Sequence, residues 1–223
     1  MRILVALTGM LFSLSVFAAN TSSVVVASSA AAVNYIEGKD YTLLDEPVRP
    51  TNPSKIEVAE VFAYTCPHCM HFEPILDAWA KKQPADVNFV QTHTSWRADM
   101  EPYQRGFYTA VTLKVKDKVQ MAVFNAIHVE RKELATAQAW ADFLSAYGVD
   151  KQTVLKTYDS FGVTSQINQA NARTRAYKTT GTPEMVVEGK YRISTRTSGT
   201  QEDMLKVVQF LIDKSRAERG HQH

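Results

Sequence analysis

The sequence predicts an α/β fold with an inserted helical subdomain, and three observations support this prediction. A buried-strand pattern at 55–64, a helical pattern and a second strand pattern at 86–92 follow one another within about 40 residues, as in a βαβ unit. Helical periodicity then continues from about 96 to 163. Residues 164–223 show a helix, a β-hairpin and a closing helix. With 45% hydrophobic and 22% charged side chains among 223 residues, the chain can bury a core.

The first residues have the pattern of a secretory signal peptide. Arg2 precedes an apolar run at 3–17, and the small residues Ala18 and Ala19 follow it, so we expect cleavage after one of these two alanines. An uncleaved membrane anchor is the alternative, but the run falls short of the ~20 apolar residues that span a bilayer. The following stretch to about Val33 has no helical period and is predicted to be a flexible lead. We expect a soluble, exported mature protein.

Charge and cysteine content narrow the possible functions. The formal net charge is +2, and without Arg2 the chain carries 24 basic and 23 acidic side chains. This balance argues against binding of nucleic acid or of a membrane surface. Cys66 and Cys69 are the two cysteines of the sequence. A disulfide between residues so close in sequence does not cross-link distant parts of a fold, so a redox role is the better interpretation.

The first half of the chain is predicted to contain the following elements. Residues 41–44 form a short strand, and 55–64 (KIEVAEVFAY) alternate and then become apolar, as a central strand does. Apolar residues recur at helical spacing over 66–82, where Pro74 is expected to kink the helix. Residues 86–92 alternate as a strand. Because a strand–helix–strand unit has a right-handed crossover, we expect its two strands to be parallel.

The helical block and the residues after it are assigned from helix signals. Gly148 supplies a helix stop, and Asp150 can cap the helix that follows it. The predicted domains are a signal peptide at 1–18, the first part of the main domain at 19–95, the helical insertion at 96–163 and the second part of the main domain at 164–223.

The last part of the chain is predicted to alternate between helix and strand. A helix at 164–179 has cationic residues toward its C-terminal end, where the helix dipole favours them. Two apolar strands at 184–187 and 191–194 are joined by a tight turn at 188–190. Residues 201–216 carry apolar side chains on one face and form the closing helix.

The motif Cys66-Pro67-His68-Cys69 lies where the buried strand joins the helix. This position places the Cys66 sulfur at a helix N-terminus, where unpaired N–H groups and the helix dipole favour a thiolate. Cys69, three residues on, can close or open a disulfide with Cys66 through a mixed-disulfide intermediate. Pro67 suits the first helical position because its missing N–H would be unpaired there. A charged or hydrogen-bonding His68 ring would lower the pKa of the Cys66 thiol and make the disulfide a stronger oxidant.

Two other interpretations of the cysteine pair are weaker. A zinc site needs four ligands, and His71 alone does not complete a set with the two cysteines. An inert structural disulfide would close a very short loop, which adds little stability.

Thr182-Pro183 follows a predicted helix stop and precedes a strand. A cis peptide bond there would leave backbone groups unpaired at an edge where an extended substrate could add as a strand. A trans proline that merely ends the loop is the alternative. We therefore expect Thr182 and Pro183 to contact substrate if the bond is cis.

Glu60 lies in the central strand, six residues before Cys66 and on the same side of the strand by alternation. An acid in so apolar a segment with a raised pKa could pass protons to Cys69 through water. The alternative is an exposed glutamate, and we interpret the neighbouring acid of this strand, Glu57, as ordinary in that sense.

Together, these residues resemble the DsbA family of periplasmic disulfide donors over Tyr35 to about Lys214. The dipeptide Pro67-His68 between the cysteines is characteristic of that family. The resemblance rests on Glu60 and its apolar strand, the Cys66–Cys69 motif followed by Phe72-Glu73, the helical insertion, and Gly181-Thr182-Pro183 before Val-Val-Glu-Gly-Lys-Tyr.

The resemblance implies the thioredoxin fold with an inserted helical subdomain. It also implies that Cys66 is the exposed attacking sulfur, Cys69 its buried partner and His68 a stabiliser of the thiolate. Pro183 would be cis, and Glu60 would be the buried acid.

The function implied is donation of the Cys66–Cys69 disulfide to newly exported proteins with free cysteines in the periplasm. Reoxidation would come from the quinone-linked membrane protein DsbB, and we expect a monomer without a cofactor or metal. Thr182 stands where some family members have valine, which bears on substrate range and on the reoxidation partner.

Two other functions remain open at this point. A periplasmic reductase or isomerase on the same fold would usually carry a dimerisation domain before it, and the predicted lead is too short for one. A peptide-binding chaperone would keep its activity without the cysteines.

Overall fold

Five strands form one mixed sheet, which the computed structural model describes together with its helices over residues 34–220. The predicted signal peptide and the lead to Val33 lie outside the described residues. The order of the strands across the sheet is β1-β5-β4-β2-β3. Their bounds are β1 Thr42–Leu43, β2 Ile56–Phe62, β3 Val87–His93, β4 Glu184–Val187 and β5 Tyr191–Ser194.

The predicted βαβ unit is confirmed. Strands β2 and β3 are parallel, and α1 (Pro67–Ala80) connects them. Every residue of β2 is buried because helices cover both faces of this strand. Phe72 and Leu76 of α1 pack on one face with the closing helix, and Pro74 lies inside α1 without ending it.

The predicted helical block contains four α-helices, which follow a 3₁₀ turn at Ala98–Met100. Asp150 caps α5 (Lys151–Tyr158) by accepting a hydrogen bond from the backbone N–H of Thr153 at 2.8 Å, as predicted. Gly148 precedes it with a positive φ of 87°, which a glycine adopts without strain. The bounds are α2 Glu101–Thr112, α3 Lys116–His128, α4 Ala137–Ser145 and α5 Lys151–Tyr158.

The core of the helical block continues into the main domain. Trp140 of α4 is fully buried, and Gly106 of α2 lies so close that a methyl group there would overlap the indole ring. Phe62, the last residue of β2, and Tyr64, two residues further on, belong to the same apolar cluster, and so does Cys69. The segment that leads into α1 is therefore clamped between sheet and helical block.

The closing elements correct two predicted bounds and add one helix. Helix α6 covers Phe161–Ala176, earlier than the predicted 164–179, because the Ser160 side chain accepts a hydrogen bond from Val163 N at 3.2 Å and caps it there. A short helix α7 at Thr195–Ser198 was not predicted. Helix α8 covers Gln201–Gly220 and extends past the predicted end at 216.

Contacts of Arg219 account for the extra turn of α8. Its guanidinium donates hydrogen bonds to the Glu188 carboxylate, at 2.6 Å for the shortest, and to the carbonyl of Lys55 at 2.9 Å. The tight turn between β4 and β5 and the start of β2 thus hold the last turn of the helix. No helix among residues 34–220 is long and apolar enough to cross a membrane.

Glu57 is not the ordinary exposed glutamate that the sequence analysis assumed. It is 1% exposed, and its carboxylate forms an ion pair with Arg173 of α6. The backbone N–H of Thr51 donates to the same carboxylate at 2.6 Å. Alternation along β2 explains the arrangement: Glu57 faces α6, while Glu60, three residues on, faces α1. The two acids of this strand therefore have separate environments.

Candidate active site

Cys66 is the N-cap residue of α1, as its place after the buried strand predicted. Its backbone is extended, with φ −94° and ψ 114°, and Pro67 occupies the first turn of the helix, where no N–H is required. The backbone N–H groups of Cys69 and His68, in the first turn of the helix, contribute to a lowered pKa of the Cys66 thiol. The sulfur therefore lies at the positive end of the helix, half-buried and accessible.

The two thiols of the motif have opposite proton affinities. The pKa of Cys66 is lowered to about 5, mainly by the hydrogen bond from the Cys69 thiol and, against the effect of burial, by a hydrogen bond from the Thr182 side chain. Cys69 is fully buried, and this burial raises its pKa well above the usual range. At neutral pH the reduced pair is therefore a thiolate at Cys66 and a thiol at Cys69.

The Thr182–Pro183 loop lies against the Cys66 sulfur. The peptide bond between these two residues is cis, as the resemblance implied. The Cys66 sulfur is 3.3 Å from the carbonyl oxygen of Thr182, although 116 residues separate them in the chain. A depression of about 150 Å³ beside the loop is lined by residues 180–184 and by 194–196 of the facing strand and helix. The fold thus brings together the cysteine motif and the predicted substrate loop.

His68 is exposed on the first turn of α1. Its backbone N–H contributes to the low pKa of Cys66, and its carbonyl accepts a hydrogen bond from the Gln201 side chain at 2.7 Å. Stabilisation of the thiolate by the His68 ring stays a prediction. No group of three potential metal ligands occurs among residues 34–220.

Glu60 is fully buried on the face of β2 that packs against α1. Gln91, its direct neighbour on β3, donates hydrogen bonds to one oxygen of Glu60 at 2.8 Å and to Glu73 of α1 at 3.1 Å. The other Glu60 oxygen has no hydrogen-bond partner. Burial, and secondly the Glu73 carboxylate, raises the pKa of Glu60 well above its usual range. Glu60 also acts electrostatically on Cys69, whose pKa it raises further.

A polar network that the sequence analysis did not identify links Glu60 to the surface. The Lys116 ammonium donates to the Gln91 side-chain oxygen at 2.9 Å, and Gln120 donates to Glu73 at 3.2 Å. Lys116 and Gln120, from α3 of the insertion, line a cavity of about 540 Å³ that Glu73 and Gln91 also line. Glu73 lies four residues after Cys69, a helical spacing from which its place on the same side of α1 could be predicted. The pairing of Gln91 with Glu60 depends on strand register, which the sequence pattern does not give.

His93 and His128 position the segment that precedes Cys66. His93 is fully buried, and burial lowers its pKa to about 3, so its neutral ring accepts a hydrogen bond from the backbone N–H of Tyr64 at 3.0 Å. The ring of His128 contacts the Tyr64 carbonyl at 2.7 Å. Both backbone groups of Tyr64 are thus held two residues before the nucleophile. The sequence contains no spacing signal for these contacts.

Comparison with known proteins agrees with this geometry. The family described as DSBA-like thioredoxin domain matches residues 92–206. The thiol:disulfide interchange protein DsbA of Pseudomonas aeruginosa is 44% identical over 189 residues, which are 85% of this chain and 90% of that protein. The protein of that name from Azotobacter vinelandii is 39% identical over 203 residues, 91% of this chain and 93% of that protein.

Solved structures give the same result. The crystal structure of Pseudomonas aeruginosa DsbA matches with a TM-score of 0.81 at 44% identity, covering 83% of this chain and 97% of that chain. The oxidoreductase DsbA from Xylella fastidiosa matches with a TM-score of 0.77 at 31% identity, covering 82% and 98%.

The difference between the two thiols predicts selective alkylation. In the reduced folded protein, iodoacetamide should label Cys66 alone, with a rate that rises through a midpoint near pH 5, because the thiolate is the reacting form. Mass spectrometry of the digested protein identifies the labelled residue. In urea, both cysteines should react with a midpoint near the usual ~8.5. Equal labelling of Cys66 and Cys69 in the folded protein would contradict the assignment.

Proposed function

Because this chain belongs to the DsbA family and is a thiol-disulfide oxidoreductase with the thioredoxin fold, we propose that it donates its Cys66–Cys69 disulfide to newly exported proteins in the periplasm. The observation that carries the proposal is the pairing of an accessible sulfur of low pKa at Cys66 with a buried thiol of raised pKa at Cys69. This pairing stabilises the reduced state and makes the oxidised state a good donor.

In the first step, a substrate thiolate attacks the Cys66 sulfur of the oxidised pair. A bond forms between the substrate sulfur and Cys66, and the bond between Cys66 and Cys69 breaks. Cys69 leaves with the electron pair and needs a proton, because a buried thiolate without a partner is unfavourable.

In the second step, another substrate thiolate attacks the substrate sulfur of the mixed disulfide. Cys66 leaves as a thiolate, and its low pKa makes it a good leaving group. The substrate has then lost two electrons and gained a disulfide, and the Cys66–Cys69 pair has gained the two electrons. The helix N-terminus and the Thr182 side-chain hydrogen bond thus stabilise the negative charge that Cys66 carries when it leaves.

Glu60 is the proposed source of the proton for Cys69. It lies on the α1 side of β2, it interacts electrostatically with Cys69, and its raised pKa favours the protonated form that a proton donor needs. The unpartnered oxygen of Glu60 leaves one side of the carboxyl free for a bridging water. Gln91 orients the other oxygen.

Thr182 and Pro183 are the proposed binding site for the substrate chain. The loop places backbone groups beside the Cys66 sulfur, where an extended segment can pair with them while its cysteine reaches that sulfur. Substrates are therefore unfolded exported proteins with free cysteines.

Turnover requires an oxidant that returns the Cys66–Cys69 pair to the disulfide. For this role we propose a quinone-linked membrane protein of the DsbB type. The Cys66 thiolate would attack a disulfide of this partner, and Cys69 would then displace the partner's sulfur and re-form the Cys66–Cys69 bond, which leaves the two electrons on the partner. The predicted signal peptide at 1–18 supports export to the periplasm. His68 and Pro67, exposed beside the sulfur, would contact this partner as well as substrates.

A transfer assay separates the proposed function from the alternatives. The oxidised protein, mixed with a reduced, unfolded secreted protein that has two cysteines, should form one substrate disulfide per molecule consumed. Cys66→Ala should abolish transfer, because it removes the sulfur that forms the mixed disulfide. Thiol trapping and mass spectrometry follow both proteins.

Two outcomes would contradict disulfide donation. Faster reduction of insulin, or faster reshuffling of a scrambled substrate, than oxidation of a dithiol would indicate a reductase or isomerase. Full activity in cells of a Cys66→Ala and Cys69→Ala double variant would indicate a chaperone.

The role of Glu60 is tested by Glu60→Gln, which removes the proton and keeps the shape. Formation of the mixed disulfide in single-turnover, stopped-flow experiments should slow by at least about tenfold, with the largest difference at low pH, where Glu60 is protonated. The matched control is Glu57→Gln, a buried acid of the same strand that faces α6. An equal rate for Glu60→Gln and the parent protein at all pH values would exclude Glu60 as the proton donor.

A further inference from the structure

Glu184 is a buried acid for which the exchange mechanism has no use. It is the first residue of β4, directly after Pro183, and it is 2% exposed. Burial of a carboxylate without partners raises the free energy of the folded state, so a buried Glu184 needs groups that bond it. On the α6 face of the sheet, the nearest cation is Arg192 of β5, whose Nε is 3.8 Å from the carboxylate, beyond hydrogen-bond distance.

The hydrogen bonds of Glu184 go to the substrate loop. One carboxylate oxygen accepts from the backbone N–H of Thr180 at 3.2 Å and from the Thr180 hydroxyl at 3.1 Å. The other oxygen has no hydrogen-bond partner. Glu184 therefore bonds the residue four positions before it and closes a ring around Gly181, Thr182 and Pro183.

This ring controls the position of Thr182. The loop between Thr180 and Glu184 is anchored at its far end by β4 and at its near end by the bonds to the carboxylate. Between these anchors, Thr182 contacts the Cys66 sulfur in two ways: its carbonyl oxygen accepts from the thiol at 3.3 Å, and a hydrogen bond from its side chain lowers the pKa of the thiol. A hydrogen bond to a thiolate contributes fully only when the donor is held in place.

We propose that Glu184 is a positioning residue that holds the Thr180–Pro183 loop, so that Thr182 stays within hydrogen-bond distance of the Cys66 sulfur. The inference rests on the proposed role of Cys66 as the exchanging sulfur. Glu184 does not touch that sulfur and acts through Thr180 and Thr182. The acceptor oxygen matters for this role, and the negative charge does not.

Three variants test the inference. Glu184→Ala removes the acceptor, Glu184→Gln keeps a side-chain oxygen in the same place without the charge, and Thr180→Val removes one of the two donors. The matched control is Glu188→Ala. Glu188 is a buried acid of the same hairpin at the end far from Cys66, where its carboxylate accepts from the backbone N–H of Glu57 at 2.8 Å.

Two measurements are made on each reduced variant: the Cys66 titration midpoint from thiolate absorbance at 240 nm, and the thermal midpoint of unfolding. Glu184→Ala should weaken the acidity of Cys66 about tenfold, a rise of about one pKa unit, and slow disulfide transfer. Thr180→Val should weaken it about threefold, and Glu184→Gln should stay within about twofold of the parent protein. Glu188→Ala should lower the thermal midpoint and leave the Cys66 titration within about twofold.

The inference is overturned if Glu184→Ala lowers the thermal midpoint but leaves the Cys66 titration unchanged, because Glu184 then has a structural role only. If Glu184→Ala does not fold, an unchanged titration in Thr180→Val overturns it equally. A shift in Glu184→Gln as large as in Glu184→Ala would assign the effect to charge and contradict the role of the acceptor. A parent protein that titrates near the usual ~8.5 would instead contradict the proposed function itself.

Discussion

The negative charge on the Cys66 sulfur depends on a geometric constraint, namely that α1 must begin a few residues after β2 ends. Helices and strands bury β2 completely, and two residues after its end the two backbone groups of Tyr64 are bonded to His93 and His128. Cys66 follows as the N-cap of α1, where backbone N–H groups are available to the sulfur. The Thr182 loop then approaches the same atom from β4, the strand paired with β2. Sheet pairing therefore builds the anion site from two distant segments.

One turn of helix gives the two thiols opposite properties. Cys66 remains half-exposed, while Cys69 points into the apolar cluster shared with the helical block, where burial opposes ionisation. Burial also raises the pKa of Glu60, the proposed proton donor for Cys69. The helical insertion also contributes polar contacts to the site. Its Lys116 donates a hydrogen bond to Gln91 and its Gln120 donates one to Glu73, the two residues of the network next to Glu60.

Sequence patterns identified the parts of this site that depend on local structure. Cys66 at the start of α1, the hairpin after Pro183 and the Asp150 cap follow from residue type and spacing, and the structure has all three. One missed feature depends on strand register, namely Gln91 opposite Glu60. The Glu184 bonds to Thr180, four positions before it, were also missed, because Thr180 lies in a loop that no helix or strand pattern covers. The prediction that Glu57 is exposed was wrong. Alternation along a strand tells which face a side chain occupies, but it does not show that Arg173 of α6 lies on that face and pairs with the carboxylate. Long-range partners of buried polar groups are not encoded in any local pattern.

The central claim is that the folded protein stabilises the Cys66 thiolate, and the stability of the reduced and oxidised forms in urea at pH 7 and pH 4 tests it most directly. A folded pKa of about 5 against an unfolded value of about 8.5 stabilises the reduced protein by about 2 kcal/mol at pH 7, once solvent screening of the half-exposed sulfur is included. Since the folded pKa is the lower one, this stabilisation is complete above pH ~8.5 and is lost as the pH falls through about 5. The disulfide contributes a similar ~2 kcal/mol through loop closure, independent of pH. Relative to the oxidised form, the reduced form should therefore lose about 2 kcal/mol of unfolding free energy between pH 7 and pH 4. An equal difference between the two forms at both pH values would contradict the claim.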